Sequence, residues 1–150
     1  MKYVQVRVHL AAPVESVFDA VSDHENFLRD KLTRTKVITD GTPSRNGLGC
    51  RREVSIGPGV RFVEEITAWD RPRSFEYVIR ESSLPVEHRG GRLTFTPAGD
   101  GSDVEWTTRF RVPVPLLGSI LGFVAQRIFT RAFAGLLQAA KSNLEPAHAA

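Results

Sequence analysis

Cysteine occurs once, at Cys50, in a chain of 150 residues. A lone cysteine allows no internal disulfide and no multi-cysteine zinc site. The start, Met1-Lys2-Tyr3-Val4-Gln5-Val6, alternates at once and lacks the 7–15-residue apolar core of a signal peptide. A reducing, cytoplasmic setting is the expectation. Long apolar runs are also missing. The longest uncharged stretch, between Arg111 and Arg127, is broken by Pro113, Pro115 and two glycines, whereas a membrane span needs about 20 apolar residues. The net charge is only +3, and no block of five or six like charges occurs. A nucleic-acid binder concentrates its basic excess on one face, so nucleic acid is not an expected partner. There is no His-Glu-x-x-His run, phosphate-binding glycine loop, dinucleotide fingerprint or Gly-x-Ser-x-Gly elbow. No metal and no cofactor is therefore expected. Cys50 lies in a strand pattern without an adjacent histidine, which argues against a thiol nucleophile.

What is present is one domain's worth of patterned sequence, read as a single unit over 1–150 with a short frayed tail after Glu145. Val4, Val6, Val8 and Leu10 alternate with polar residues and predict a half-buried strand. Pro13 suits the first turn of a helix, and Val14, Val17, Phe18 and Val21 follow at helical spacing. Ser22 and Glu25 have capping-box spacing ahead of a second short helix carrying Phe27 and Leu28. Strands are then predicted over 35–39, 50–56, 60–69, 75–80, 86–96 and 104–112, separated by Gly/Pro/Asp turns. After Pro113 and Pro115 a helix of roughly 29 residues, Leu116 to Leu144, closes the chain. Its first half is apolar almost all round, which implies burial on several sides.

The class is α+β: a curved seven-stranded antiparallel sheet wrapped around a long C-terminal helix, with two short helices after the first strand. A bent sheet cannot touch its helix everywhere, and the gap becomes a cavity lined by apolar and aromatic side chains. Phe62, Phe75, Tyr77, Phe95, Trp106, Thr108 and Phe110 fall on inward-looking strand positions. Tyr77 and Trp106 carry polar tips that need partners when buried. Phe123 and Arg127 on the long helix complete the candidate cavity set read from the residues.

Two residues are candidates for acid–base chemistry. Glu64 shares a face with Phe62 and Ile66, which places a carboxylate inside the cavity or in an ion pair with Arg51, Arg52 or Arg89. His88 falls outside under strict alternation with Leu93 and Phe95, but a bulge at Gly90-Gly91 turns it inward. His9 and His24 are expected at the surface, and His148 lies in the tail.

Five segments carry a resemblance. They are Ala12-Pro13-Val14-Glu15-Ser16-Val17-Phe18, Asn46-Gly47-Leu48-Gly49-Cys50-Arg51-Arg52, Glu64-Glu65-Ile66 with Trp69-Asp70-Arg71-Pro72, Arg89-Gly90-Gly91-Arg92-Leu93-Thr94-Phe95-Thr96-Pro97, and Gly101-Ser102-Asp103-Val104-Glu105-Trp106. In this order and spacing, from Val4 to about Leu144, the chain resembles the polyketide cyclase/dehydrase branch of the START-like (SRPBCC) superfamily. The resemblance implies the helix-grip fold. It also implies a hydrophobic small-molecule ligand, such as a lipid, an isoprenoid or an aromatic polyketide. It places the family's recurrent glutamate at Glu64 and the segment around Phe27 at the cavity mouth. A cofactor-independent cyclase or dehydratase acting through an inward acid or base is the alternative. A membrane-surface lipid exchanger, suggested by the uncharged Val112–Gln126 stretch, is another. Nothing in the sequence marks an oligomeric interface.

Overall fold

Alternation and turn chemistry build a meander whose last strand returns to pair with its first. The structure, a computed structural model, describes residues 1–145. The expected tail after Glu145, with His148, lies outside the described residues. The elements run β1 (Lys2–Leu10), α1 (Val14–Val21), α2 (His24–Phe27), β2 (Thr33–Thr39), β3 (Arg51–Ile56), β4 (Val60–Asp70), β5 (Ser74–Ser82), β6 (Glu87–Ala98), β7 (Gly101–Arg111) and α3 (Gly118–Leu144). The sheet order is β1-β7-β6-β5-β4-β3-β2, with every pair antiparallel. The expected fold class holds.

Each strand buries one face, as period-two patterning requires. Val4, Val6, Val8 and Leu10 of β1 face the core, as do Val104, Trp106, Thr108 and Phe110 of β7. In α1, Val17, Phe18 and Val21 point inward. The capping box expected at Ser22 does not form. Asp23 occupies the cap position without a side-chain bond to the backbone, and Glu25 reaches outward instead. Its Oε2 accepts from the Val37 backbone N–H at 2.8 Å, and its Oε1 accepts from Arg45 at 2.9 Å. A long-range carboxylate tie to β2 and to the loop before β3 thus replaces a local cap.

The interior has two unlike ends. Beneath α1 the aromatic rings are close-packed. Phe18 meets Trp69 and Phe95 edge-on at 5.0 Å each, and Phe75 stacks on Phe95 at 6.1 Å. Such pairs add about 0.5–1.5 kcal/mol each beyond the area they bury. Toward α3 the sheet and helix separate and leave a cavity.

α3 starts two residues later than expected because Leu116 sits in the left-handed region, φ 66°, where a helix cannot propagate. A second expectation fails more consequentially. The first half of α3 is not buried on several sides. Ile120, Phe123, Val124 and Ile128 are all exposed, and the buried residues of the helix are Gly122, Leu136, Leu137 and Ala140. The helix lies against the β1 edge of the sheet, where Gln126 Nε2 donates to the Tyr3 carbonyl, and only one of its faces meets protein.

Candidate functional site: a neutral, polar-ended cavity

The cavity between sheet and α3 holds about 310 Å³. Its helix wall is a stripe at helical spacing, Leu121, Ala125, Phe129, Ala132, Phe133 and Leu136. Its sheet wall includes Phe62, Ile79, Trp106 and Phe110. Leu84, Pro85 and Val86, between β5 and β6, rim the opening. Arg52, Glu64, Tyr77, His88 and Thr108 form one polar cluster on the cavity wall, and Asp30 and Thr33, before and at the start of β2, line the cavity as well.

The hairpin of β3 and β4 creates the central ion pair by register alone. Arg52 stands directly opposite Glu64, and Arg51 directly opposite Glu65. Alternation sends the two pairs to opposite faces. Arg51 and Glu65 meet at 3.0 Å outside, joined by Arg80 at 3.1 Å. Arg52 and Glu64 meet at 2.9 Å inside, with side chains only 2% and 11% exposed. The Arg52 guanidinium also lies 4.8 Å from the Tyr77 ring centre, a cation–π contact in a dry setting.

A third member is His24, expected at the surface and found fully buried. The one-turn helix α2 turns its first residue inward, against Phe75 at 5.8 Å. His24 Nε2 donates to the Asn46 carbonyl at 2.9 Å, and Nδ1 accepts from Arg52 Nη1 at 2.8 Å. A histidine that receives an N–H from an arginine must be neutral. Burial, then the Arg52 charge, push its pKa down to about 2. The chain Asn46–His24–Arg52–Glu64 is thus continuous, and its one positive and one negative charge compensate each other.

His88 is turned inward by the bulge anticipated at Gly90-Gly91. The pairing steps from His88 opposite Phe110 to Gly91 opposite Thr108, so β6 carries one residue more than β7, with Gly90 at φ 107°. His88 Nδ1 accepts the Ile79 backbone N–H at 3.0 Å, and Nε2 donates to Thr108 Oγ1 at 2.6 Å. Both ring nitrogens are engaged. Burial, then Arg52, lower its pKa to about 4.

Gly91 has a different task. A Cβ there would lie 2.2 Å from Tyr77 Cζ, so the absent side chain is the space in which the phenol lies. The Tyr77 hydroxyl accepts from Trp106 Nε1 at 2.9 Å, and burial raises its pKa further from neutrality. Trp106 is clamped on its other side by Phe133 of α3, ring to ring at 3.7 Å.

Of the expected site residues, the structure brings Phe62, Glu64, Tyr77, His88, Trp106, Thr108 and Phe110 together around the cavity. Phe75 and Phe95 are corrected: they belong to the packed aromatic end with Phe18. Phe27 backs Trp106 at 5.7 Å from behind, and its neighbour Leu28 lines the cavity instead. Phe123 and Arg127 point away from the sheet; Phe123 is half exposed and Arg127 lies beside it at 5.8 Å. Reasoning from single residues missed His24 and the Leu121–Leu136 stripe. The four-residue spacing of Leu121, Ala125 and Phe129 was the available signal for the stripe. Cys50 is buried, which raises its thiol pKa, in keeping with an inert role.

A bent antiparallel sheet gripping one long helix around an apolar cavity is the helix-grip fold. The chain belongs to the family described as polyketide cyclase / dehydrase and lipid transport, which matches residues 1–145. Solved structures agree on the fold. TTHA0849 from Thermus thermophilus is 22% identical, with a TM-score of 0.76 over 95% of this chain and 97% of its own. A START superfamily protein from Mycobacterium smegmatis is 15% identical, with a TM-score of 0.74 over 95% and 98%. Ara h 8.0201 is 15% identical, with a TM-score of 0.69 over 95% and 97%. No curated protein is significantly similar in sequence. Family and fold together support a role in hydrophobic-ligand binding or of the polyketide-cyclase type.

Proposed function

We propose that the protein binds an electrically neutral hydrophobic small molecule, held by shape and oriented by a single oxygen function at the polar cluster. The observation that carries this reading is the state of that cluster: its two charges are paired with each other, both ring nitrogens of His88 are bonded, and the Tyr77 hydroxyl accepts one bond and keeps its own proton to donate. Glu64 holds Arg52, His88 spans Ile79 and Thr108, and Tyr77 receives Trp106. A charged ligand group brought against Arg52 and Glu64 would find each of those charges already paired with the other, at a cost of several kcal/mol. A neutral carbonyl or hydroxyl needs only one hydrogen bond from this rim, while the apolar remainder gains about 25 cal/mol for each Å² removed from water.

The same engagement disfavours His88 as an acid–base catalyst, because it must first give up a structural bond to move a proton. The test is organic extraction of the purified protein followed by mass spectrometry, beside a cavity-filled Ala125→Trp variant. Ala125 is half-buried and makes no side-chain hydrogen bond, so the variant keeps the polar network. A stoichiometric neutral apolar compound in the native protein, absent from the variant, is the expected result. Recovery of an anionic compound instead, or of none together with no saturable quenching of Trp106 by neutral apolar probes, sinks the reading. Conversion of a bound compound that Glu64→Gln stops without loss of binding would establish the cyclase alternative.

A further inference from the structure

The outward face of α3 is the least satisfied surface in the molecule. Winding at 100° per residue gathers Leu117, Ile120, Phe123, Val124 and Ile128 into one stripe, with Leu116 in the turn before it. Leu116 is 100% exposed, Ile120 63% and Ile128 59%. Single exposed leucines need no explanation, but a contiguous apolar face of this kind does. Leu116 adds a second oddity. It is the sole non-glycine residue with positive φ among the described residues, at 66°, a backbone state that disfavours bulky side chains. A strained conformation is thus holding an apolar side chain out in solvent.

Charge says what this face fits. From Trp106 to Leu144 the sequence contains no aspartate or glutamate, yet it carries Arg109, Arg111, Arg127, Arg131 and Lys141. Arg127 and Arg131 lie on the same stripe, one and two turns beyond Phe123. Lys2, from the adjoining strand, lies along the helix with its Nζ 6.0 Å from the Phe123 ring. Among the described residues, Lys2, Arg127 and Arg131 form no ion pair with a carboxylate, whereas Arg111 is held by Glu87. An apolar stripe with unpaired cations on it matches a bilayer carrying anionic headgroups. A second copy of the chain matches it less well, because an isologous contact would set the same cations against one another.

The face is also continuous with the cavity. Leu121, 42% exposed, and Leu84, 44% exposed, reach both solvent and the cavity. We propose that the amino-terminal half of α3, led by Leu116, lies in the surface of an anionic bilayer, and that the cavity opens toward the lipid there. The helix is 27 residues long and apolar enough in composition to cross a membrane. Its opposite face is committed to the sheet through Phe129, Phe133 and Leu137, so it lies along a bilayer and does not span it.

This inference rests on the ligand-binding reading only for its purpose, because vesicle binding is measured with no ligand added. Sedimentation with phosphatidylcholine vesicles, with and without phosphatidylserine, is the experiment. Binding is expected to the serine-containing vesicles and to weaken with salt. Arg127→Gln with Arg131→Gln should reduce it about 30-fold, from ~1 kcal/mol per cation at such a surface. Leu116→Ser with Ile120→Ser, both at exposed positions and checked by an unchanged thermal melt, should reduce it tenfold or more. No sedimentation with either lipid overturns the proposal. So does a concentration-dependent dimer, seen by analytical ultracentrifugation, that the serine pair abolishes while vesicle binding is absent. Extraction of a bound ligand from a protein that ignores vesicles would leave the binding function standing and remove only the docking surface.

Discussion

At the residue scale, the cavity's character is set by one buried salt bridge and its neighbours. Arg52 and Glu64 face each other across β3 and β4, and His24 receives the far side of the guanidinium. Removing one member strands the other charge in a dry site, whereas removing both leaves only packing to repair. Arg52→Met is therefore expected to cost about 3–5 kcal/mol, and Glu64→Gln a comparable amount. The double change should recover much of that loss, giving a coupling energy of about 2 kcal/mol or more in urea unfolding. Additive single effects would mean that the pair is not coupled. Part of this was readable in advance. Cys50, Arg52, Val54 and Ile56 alternate on one face, and Arg52 was among three candidate partners for Glu64. The choice among the three required strand register, which two-residue periodicity cannot supply. His24 was unreadable for another reason. Four residues make barely one helical turn, too few for an apolar stripe to reveal which way a side chain points.

At the element scale, long strands with clear alternation and closing Gly/Pro turns were legible, and so was the long helix. The bulge in β6 was legible only as a condition, because glycines permit a bulge without requiring one. The misreading of α3 has a plain physical cause. A helix apolar on all sides is consistent with burial on all sides or with an apolar medium, and composition does not distinguish the two. The consequence is a helix of unequal halves. The half from Gly118 to Ile128 touches protein on one face, while the later half seats Leu136, Leu137 and Ala140 in the core. Local opening free energy follows buried apolar contact. In native-state hydrogen exchange without lipid, backbone amides of residues 122–128 should therefore exchange at least tenfold faster than those of 136–142. Uniform protection along α3 would mean that the outward face does not weaken the helix. Anionic vesicles should slow the first half selectively, which ties this local instability to the docking surface.

At the scale of the whole molecule, two neutral histidines link the cavity to global stability. His24 belongs to α2 and His88 to β6, and the Arg52 charge acts on both. Their folded pKa values are lowered from 6.5 to about 2 and about 4, in both cases by burial first and the Arg52 charge second. At pH 7 neither the folded nor the unfolded chain binds these protons, and the stability they contribute is fully present. As the pH falls below 6.5, the unfolded chain takes up two protons that the folded chain refuses, so stability falls with pH. Each refused proton is worth about 1.4 kcal/mol per pH unit, giving a combined slope of about 2.7 between roughly pH 6 and 4.5. Exposed carboxylates such as Asp19, Glu65 and Glu87, with pKa values lowered mainly by their arginine partners, act in the same direction but only at lower pH. Unfolded glutamates begin to take up protons only as the pH nears their ordinary value of 4.5, so the window from about pH 6.5 to 5.5 isolates the histidines. Urea unfolding at pH 7, 6.5, 6 and 5.5 is expected to show this loss, and His88→Gln, which cannot charge, should halve the slope in that range. A stability that stays flat from pH 7 to 5 would show that the two rings are not held neutral, and with them the neutral cavity on which the ligand reading depends would fall.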